Sequence, residues 1–202
     1  MDWSGVVCRE NKIVDLYAPC IVAVQDAEIV NLPMADLRKQ FGMAQDEEFH
    51  GHECSAEMLI SILELVLEFQ IRVGALLIDK SAGAIPPPPH FAAVSALRLL
   101  NDYLPGSCLN RLWCDEDIKG KKPQAAFKTQ VARLHRQIHT NQSVKTSFRD
   151  SRKSNLIQIA DVTVYSLAWE VGKARVNPAL KKCLAKLRAK TSNLIMGPTK
   201  WG

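Results

Sequence analysis

Six carboxylates stand where a chain would place them for chemistry rather than for solubility: Asp2, Glu48, Asp79, Asp115, Glu116 and Asp161. Asp79 and Asp115 follow apolar runs, Ile71 to Ile78 and Leu109 to Cys114, that read as strands. Open α/β sheets gather their ligands at such strand ends. Asp161 interrupts the apolar stretch Ser154 to Val171, which opens on the capping residues Ser154 and Asn155 and reads as a largely buried helix. At about 100° per residue, Thr163, Ser166 and Glu170 form the polar stripe of that helix. Asp161 points roughly the opposite way, beside Gln158 and Tyr165. An isolated buried charge is costly, so Asp161 needs a partner: an arginine, a network of donors or a metal ion. A structural ion pair is the plain alternative to a functional site.

Hard oxygen ligands converging on one sheet edge suit Mg²⁺ or Mn²⁺, which can clamp the attacking and leaving oxygens of a phosphodiester under hydrolysis. The metal ligands are then Asp2, Asp79, Asp115 and Asp161, with Glu48 and Glu116 as further ligands or base-orienting groups. Lys80, Arg152 and Lys153 would contact substrate phosphate, and Gln158 would act at the same place by orienting Asp161. For Glu48, Asp79, Asp115 or Glu116 taken singly, solvation at a strand or helix end is the competing account. Softer ligands alternate in His50-Gly51-His52-Glu53-Cys54, a pattern open to zinc, but no second half of a structural zinc site is apparent. His50 could instead orient or shuttle a proton beside a metal-bound water. His135 and His139 stand four apart without the intervening Glu of a zinc protease, and read as a surface pair near phosphate or solvent.

The elements that must position these residues alternate. Short strands are expected at Val6 to Arg9 and Ile13 to Val24, then a helix at Met34 to Phe41 ended by Gly42. Ser55 caps a strong helix, Ala56 to Glu68, followed by Ile71 to Ile78 as a buried parallel strand. The proline run 86–89 is a stiff connector, and Phe91 to Tyr103 is helical. The strand Leu109 to Cys114, a basic helix Gln124 to Ile138, a strand Val144 to Phe148 and the Asp161 helix complete the order. A last helix, Pro178 to Lys190, carries Leu180, Leu184 and Leu187 at helical spacing; its simplest role is to dock on its own domain with a solvated basic face. Strands first and helix-strand alternation later favour an α/β sheet with helices packed on it.

With 202 residues and 47% apolar content the chain can bury a core of its own. No apolar run approaches the ~18 residues of a membrane helix, and no signal peptide opens the sequence. Its 6 cysteines lie apart without any C-x-x-C spacing, as expected of reduced thiols in the cytoplasm. The net charge of +5 conceals two halves: 8 Lys/Arg against 18 Asp/Glu up to residue 117, and 18 against 3 beyond it. Clustered cations are the footprint of a polyanion such as nucleic acid, although a solvated helix face, an acidic protein or a membrane surface would also account for them.

Asp2-x-Ser4-Gly5, Glu48-Phe49-His50, Asp79-Lys80, Asp115-Glu116 and Ser154-x-x-x-Gln158-Ile159-Ala160-Asp161 together resemble the domain-of-unknown-function 3800 family over residues 1 to about 172. The last motif is the most specific. The resemblance implies an RNase H-like mixed sheet flanked by helices, spanning 1–175, with a basic C-terminal helix and tail at 176–202. It further implies carboxylates that bind divalent metal for nucleic-acid cleavage. Two departures stand out: Trp3 replaces the usual Glu of Asp-Glu-Ser-Gly, and only Met1 precedes Asp2, where an apolar strand is expected to lead into the motif. An upstream start that supplied this strand should raise activity or stability. The functional expectation is a Mg²⁺- or Mn²⁺-dependent nuclease. Its rival is a non-catalytic nucleic-acid-binding or protein-interaction module of the same fold, with the basic tail as a possible contact for a protein partner.

Overall fold

The structure is a computed structural model, and it describes residues 2–6, 16–17, 20–75, 78–79, 111–115, 120–138, 144–172 and 177–190. For 2–6, 16–17 and 78–79 the strands alone are placed. Seven strands and five α-helices follow in chain order. They are β1 (Asp2–Val6), β2 (Leu16–Tyr17), β3 (Cys20–Val24), α1 (Asn31–Gln40), α2 (Ala56–Glu68), β4 (Arg72–Ala75), β5 (Ile78–Asp79), β6 (Arg111–Asp115), α3 (Lys121–Ile138), β7 (Lys145–Arg149), α4 (Asn155–Gly172) and α5 (Pro178–Lys190). Short 3₁₀ turns at Ala27–Val30 and Ser151–Lys153 lead into α1 and α4.

Five strands form one sheet in the order β4-β3-β1-β6-β7. β3 runs antiparallel to both neighbours, whereas β1, β6 and β7 are mutually parallel. This is a mixed sheet. A parallel β6-β7 pair needs a crossover, and α3 supplies it. The register aligns one face of the sheet: Ser4 is opposite both Val22 and Trp113, so Cys20, Val22, Val24, Trp113 and Asp115 share a side. On that side Val22, Val24, Val73 and Trp113 join Leu59, Ile62, Val66, Ile159 and Leu167 of the helices in the main core. On the other side Phe127 of α3 meets Phe148 of β7 edge to face, ring centroids 5.5 Å apart.

Local chemistry explains most boundaries. Ser55 Oγ accepts the Met58 N–H (3.2 Å) and starts α2 where expected, and Gly42, at φ +69°, follows α1 in the left-handed conformation that suits a helix stop. Asn177 Oδ1 accepts the Ala179 N–H at the head of α5 (2.9 Å). Leu180, Leu184 and Leu187 of α5 are buried in the main core against α2, and Lys181, Lys182 and Lys186 are exposed. The expected docked helix is what forms. Burying each leucine contributes about 1.5–3 kcal/mol.

Other expectations are corrected. The first strand covers Asp2–Val6, residues 7–9 of the expected one lying outside the described residues, and within Ile13 to Val24 the strands Leu16–Tyr17 and Cys20–Val24 belong to different sheets. Asp2 itself belongs to a strand held between β3 and β6. Ile71 to Ile78 is likewise divided: β4 is an edge strand antiparallel to β3, and β5 pairs with β2 in a separate ladder. Val73, Gly74 and Ala75 are buried, so their apolar run reports coverage on both faces, which does not fix strand sense. Helices α1 and α3 each begin three residues earlier than expected, at Asn31 and Lys121. The connector at 86–89, the helix at 91–103, His139 and residues 191–202 lie outside the described residues.

Candidate functional site

Strands β1, β4, β6 and β7 all point the same way, and the edge where they end carries the predicted chemistry. Cys20 pairs with Val6 and Ala75, while Gly5 pairs with Cys114. Asp115 is thus level with Val6 and Cys20, two strand spacings or about 9.6 Å from Cys20 on the same face. Helix α4 packs against β3 and β1 on this side. Asp161 lies in its second turn, close enough to Cys20 for its charge to add to the burial that pushes that thiol far up. Asp161 and Asp115 therefore approach one edge of the sheet from a helix and from a strand.

Asp161 is half-buried, and the face it occupies differs from the expected one. Thr163 and Ser166, read as a solvent stripe, are fully buried; their hydroxyls donate to the Ile159 and Val162 carbonyls one turn back (2.6 and 2.8 Å). The more open face carries Asp161, Tyr165 and Trp169. One partner of the carboxylate is a backbone donor: Gly51 N–H bonds Asp161 Oδ2 at 2.9 Å. The bond takes up one of the about four lone-pair positions of the carboxylate. The close approach explains the glycine. A Cβ on Gly51 would lie 2.4 Å from Tyr165 Cβ and 3.2 Å from the Asp161 carbonyl oxygen.

The loop that delivers Gly51 is gripped a second time, one turn earlier on α4. Gln158 is wholly buried; its Oε1 accepts from Phe49 N–H (3.2 Å) and from Arg38 Nη2 (2.8 Å), and its Nε2 donates to Ser151 O (2.9 Å). Arg38, only 4% exposed, also donates to Glu47 O (2.8 Å) and Asn155 Oδ1 (3.0 Å), with its guanidinium over the Phe49 ring. Burial lowers the Arg38 pKa, and the nearby Glu48 carboxylate opposes that shift. Both ends of the Gln158 amide are thus taken up by Arg38, Phe49 and Ser151, rather than by the Asp161 carboxylate that it was expected to orient. With Arg38, Gln158 fixes the segment carrying Glu48, His50 and Gly51. No motif flags Arg38 in the sequence; its signal is a cation inside the expected helix Met34 to Phe41, a position that is usually exposed.

Glu48 lies in this loop, 11% exposed, and its Oε2 is 3.3 Å from His50 Nε2. His52 pairs instead with Glu53 (3.3 Å), so the alternating histidines and Cys54 do not converge as a zinc site. Cys54 is pushed up to about 12 by burial, with Asp161 and Glu53 adding to it. His135 is 1% exposed and so is no surface residue, contrary to the reading of it as half of a phosphate-facing pair.

The remaining predicted residues scatter. Asp2 is opposite Arg111, four residues short of the Asp115 level, or about 13 Å along the strand. Asp79 follows β4 beyond the sheet edge, paired with Leu16. Arg152 is exposed, but its guanidinium holds Asp150 in a two-point ion pair (3.0 and 2.8 Å), which lowers the Asp150 pKa and raises its own. Lys153 is exposed at the same edge; Lys80 and Glu116 lie outside the described residues. Among the described residues no three His, Cys, Asp or Glu side chains form a metal-binding group, and no helix is long and apolar enough to cross a membrane.

No protein-family profile matches the chain, and no curated protein does. Among solved structures, a chain in the structure of the PCNA:RNase HII complex from Archaeoglobus fulgidus aligns with 94% of this chain and 87% of its own length. The alignment has a TM-score of 0.49 and 11% identity.

Proposed function

We propose that this protein is a Mg²⁺- or Mn²⁺-dependent nuclease related to the domain-of-unknown-function 3800 family, with Asp115 and Asp161 at the centre of its site. The observation that carries the reading is their placement: two carboxylates, from β6 and α4, at one edge and on one face of an RNase H-like sheet. Both are hard oxygen donors, which fits the ion. Glu48, in the loop that carries Gly51, offers a further oxygen donor, whereas Asp2 and Asp79 lie apart on β1 and β5. When bound, the ion would polarise a phosphodiester and lower the pKa of attacking water. The chain's own residues hold the site in shape: Gly51 N–H fixes one Asp161 oxygen, while Arg38 and Gln158 fix the loop. His50, beside Glu48, is placed to move a proton, and Lys153 to attract phosphate.

A second reading, a nucleic-acid-binding module without catalysis, is favoured by one specific observation. Asp2 stands about 13 Å along its strand from Asp115. One assay separates the two. Single- and double-stranded DNA and RNA are incubated with the protein in Mn²⁺ or in EDTA, using wild type and Asp161→Asn. Cleavage that needs Mn²⁺ and disappears in the variant supports the enzyme. Binding that survives EDTA, with no cleavage of any substrate, supports the module.

A further inference from the structure

Helix α3 carries Lys121, Lys122, Lys128, Arg133 and Arg136, and no acidic residue. All five cations are exposed. At about 100° per residue they fall within an arc of about 140°, while Phe127 and Val131 point to the sheet on the opposite side. Helix faces that are merely solvated commonly mix signs at three- and four-residue spacing, because such pairs stabilise the helix. Here like charges stand together, and none of the five pairs with a carboxylate among the described residues. Lys121 and Lys122 also open the helix at its positive end, with no acid in the first turn. The arrangement works against the isolated helix and in favour of an anion beside it.

The neighbouring edge strand carries the pattern round to the other face of the sheet, that of Trp113 and Asp115. Lys145 and Arg149, at the two ends of β7, are exposed; Arg149 stacks 3.5 Å over the Trp113 ring, and Lys128 of α3 lies over Phe148. Arg149 is the register partner of Asp115. Since α3 leaves β6 at the edge holding Asp115 and runs back across the other face of the sheet, its cations form a line starting at that edge.

We propose that the exposed face of α3, with the β7 edge, is a binding track for a nucleic-acid backbone leading to the Asp115 edge. From Lys121 to Arg136 the helix spans about 22 Å, the axial length of six to seven base pairs of duplex. Between the cations the arc presents only Ala125, Thr129 and Ala132, small enough to let a phosphate backbone approach. A membrane-surface helix would carry large apolar residues at that position, and here they are turned inward. The choice of nucleic acid over another polyanion rests on the proposed nuclease reading; the track itself rests on charge and placement.

The test measures binding in EDTA, so that a lack of cleavage cannot obscure it. Fluorescent 20-bp DNA and RNA duplexes are titrated between 50 and 200 mM salt with wild type, Lys122→Gln/Arg133→Gln/Arg136→Gln on α3, and Lys181→Gln/Lys182→Gln/Lys186→Gln on α5. The two triple variants change net charge equally, and circular dichroism checks that both stay folded. Three lost phosphate contacts should lower the slope of log K against log salt by about 2.7, so the wild type loses about forty-fold more affinity over this range than the α3 variant. The α5 variant should keep the wild-type slope. Equal effects of both variants, or no effect of the α3 variant, would overturn the proposal. So would tighter α3-dependent binding to poly-glutamate or to phosphatidylserine vesicles than to either duplex.

Discussion

At the scale of single residues, Asp161 has two separable roles. Its Oδ2 accepts the Gly51 N–H, a duty that an asparagine oxygen can also perform, whereas holding a cation needs the charge. Asp161→Asn should therefore melt within about 0.5 kcal/mol of wild type yet lose cleavage, while Asp161→Ala should also lose about 1–2 kcal/mol of stability. Thermal and urea denaturation alongside the cleavage assay check the split; equal destabilisation by both changes would deny it. Gly51→Ala forces a methyl group into Tyr165, and a cost of about 1–3 kcal/mol is expected, read by urea denaturation. Asp161 was legible in the sequence as a carboxylate needing a partner. Its facing was not, because Thr163 and Ser166 satisfy themselves on their own helix and so mimic a solvent stripe while buried.

At the scale of elements, the segment from Glu47 to Gly51 has no regular structure and depends on what grips it. Arg38→Met would leave Glu47 O without a donor and Gln158 Oε1 with one donor fewer. Breaking such a buried network costs about 2–4 kcal/mol, and the loop amides of Phe49 and Gly51 should exchange hydrogen faster than those of α2. Uniform exchange across the variant would show that the loop stands without the latch. The buried thiols of β3, β6 and the loop before α2 supply a pH prediction. Cys54 and Cys114 are pushed from 9.0 to about 12, chiefly by burial, and Cys20 further still. Between pH 9 and 12 the folded thiols keep protons that unfolded ones release, so their contribution is complete below pH 9 and lost as pH rises. Urea melts at pH 8, 9.5 and 10.5 should show the decline, and Cys114→Ala should flatten it. Helices with caps or leucine spacing, α2 and α5, were readable in advance; the short strands were not, because a run such as Ile71 to Ile78 records burial without revealing a break or a strand's sense.

At the scale of the whole molecule, the charge asymmetry and the sheet order belong together. The chain turns from acidic to basic just after β6, so its cations fall on α3, β7 and α5, while most of its carboxylates lie in the part before β6 ends. The strands-then-alternation order foretold a mixed sheet with helices, and the topology delivers it. What composition and motif could not foretell is register: it sets Asp115 level with Cys20 near Asp161, and leaves Asp2 four residues away. The central claim is that Asp115 and Asp161 share one divalent ion. Manganese titration followed by electron paramagnetic resonance tests it directly. The wild type should show a saturable site that weakens at least ten-fold in both Asp115→Asn and Asp161→Asn; no saturable site, or one that both substitutions leave unchanged, would rule out a shared ion.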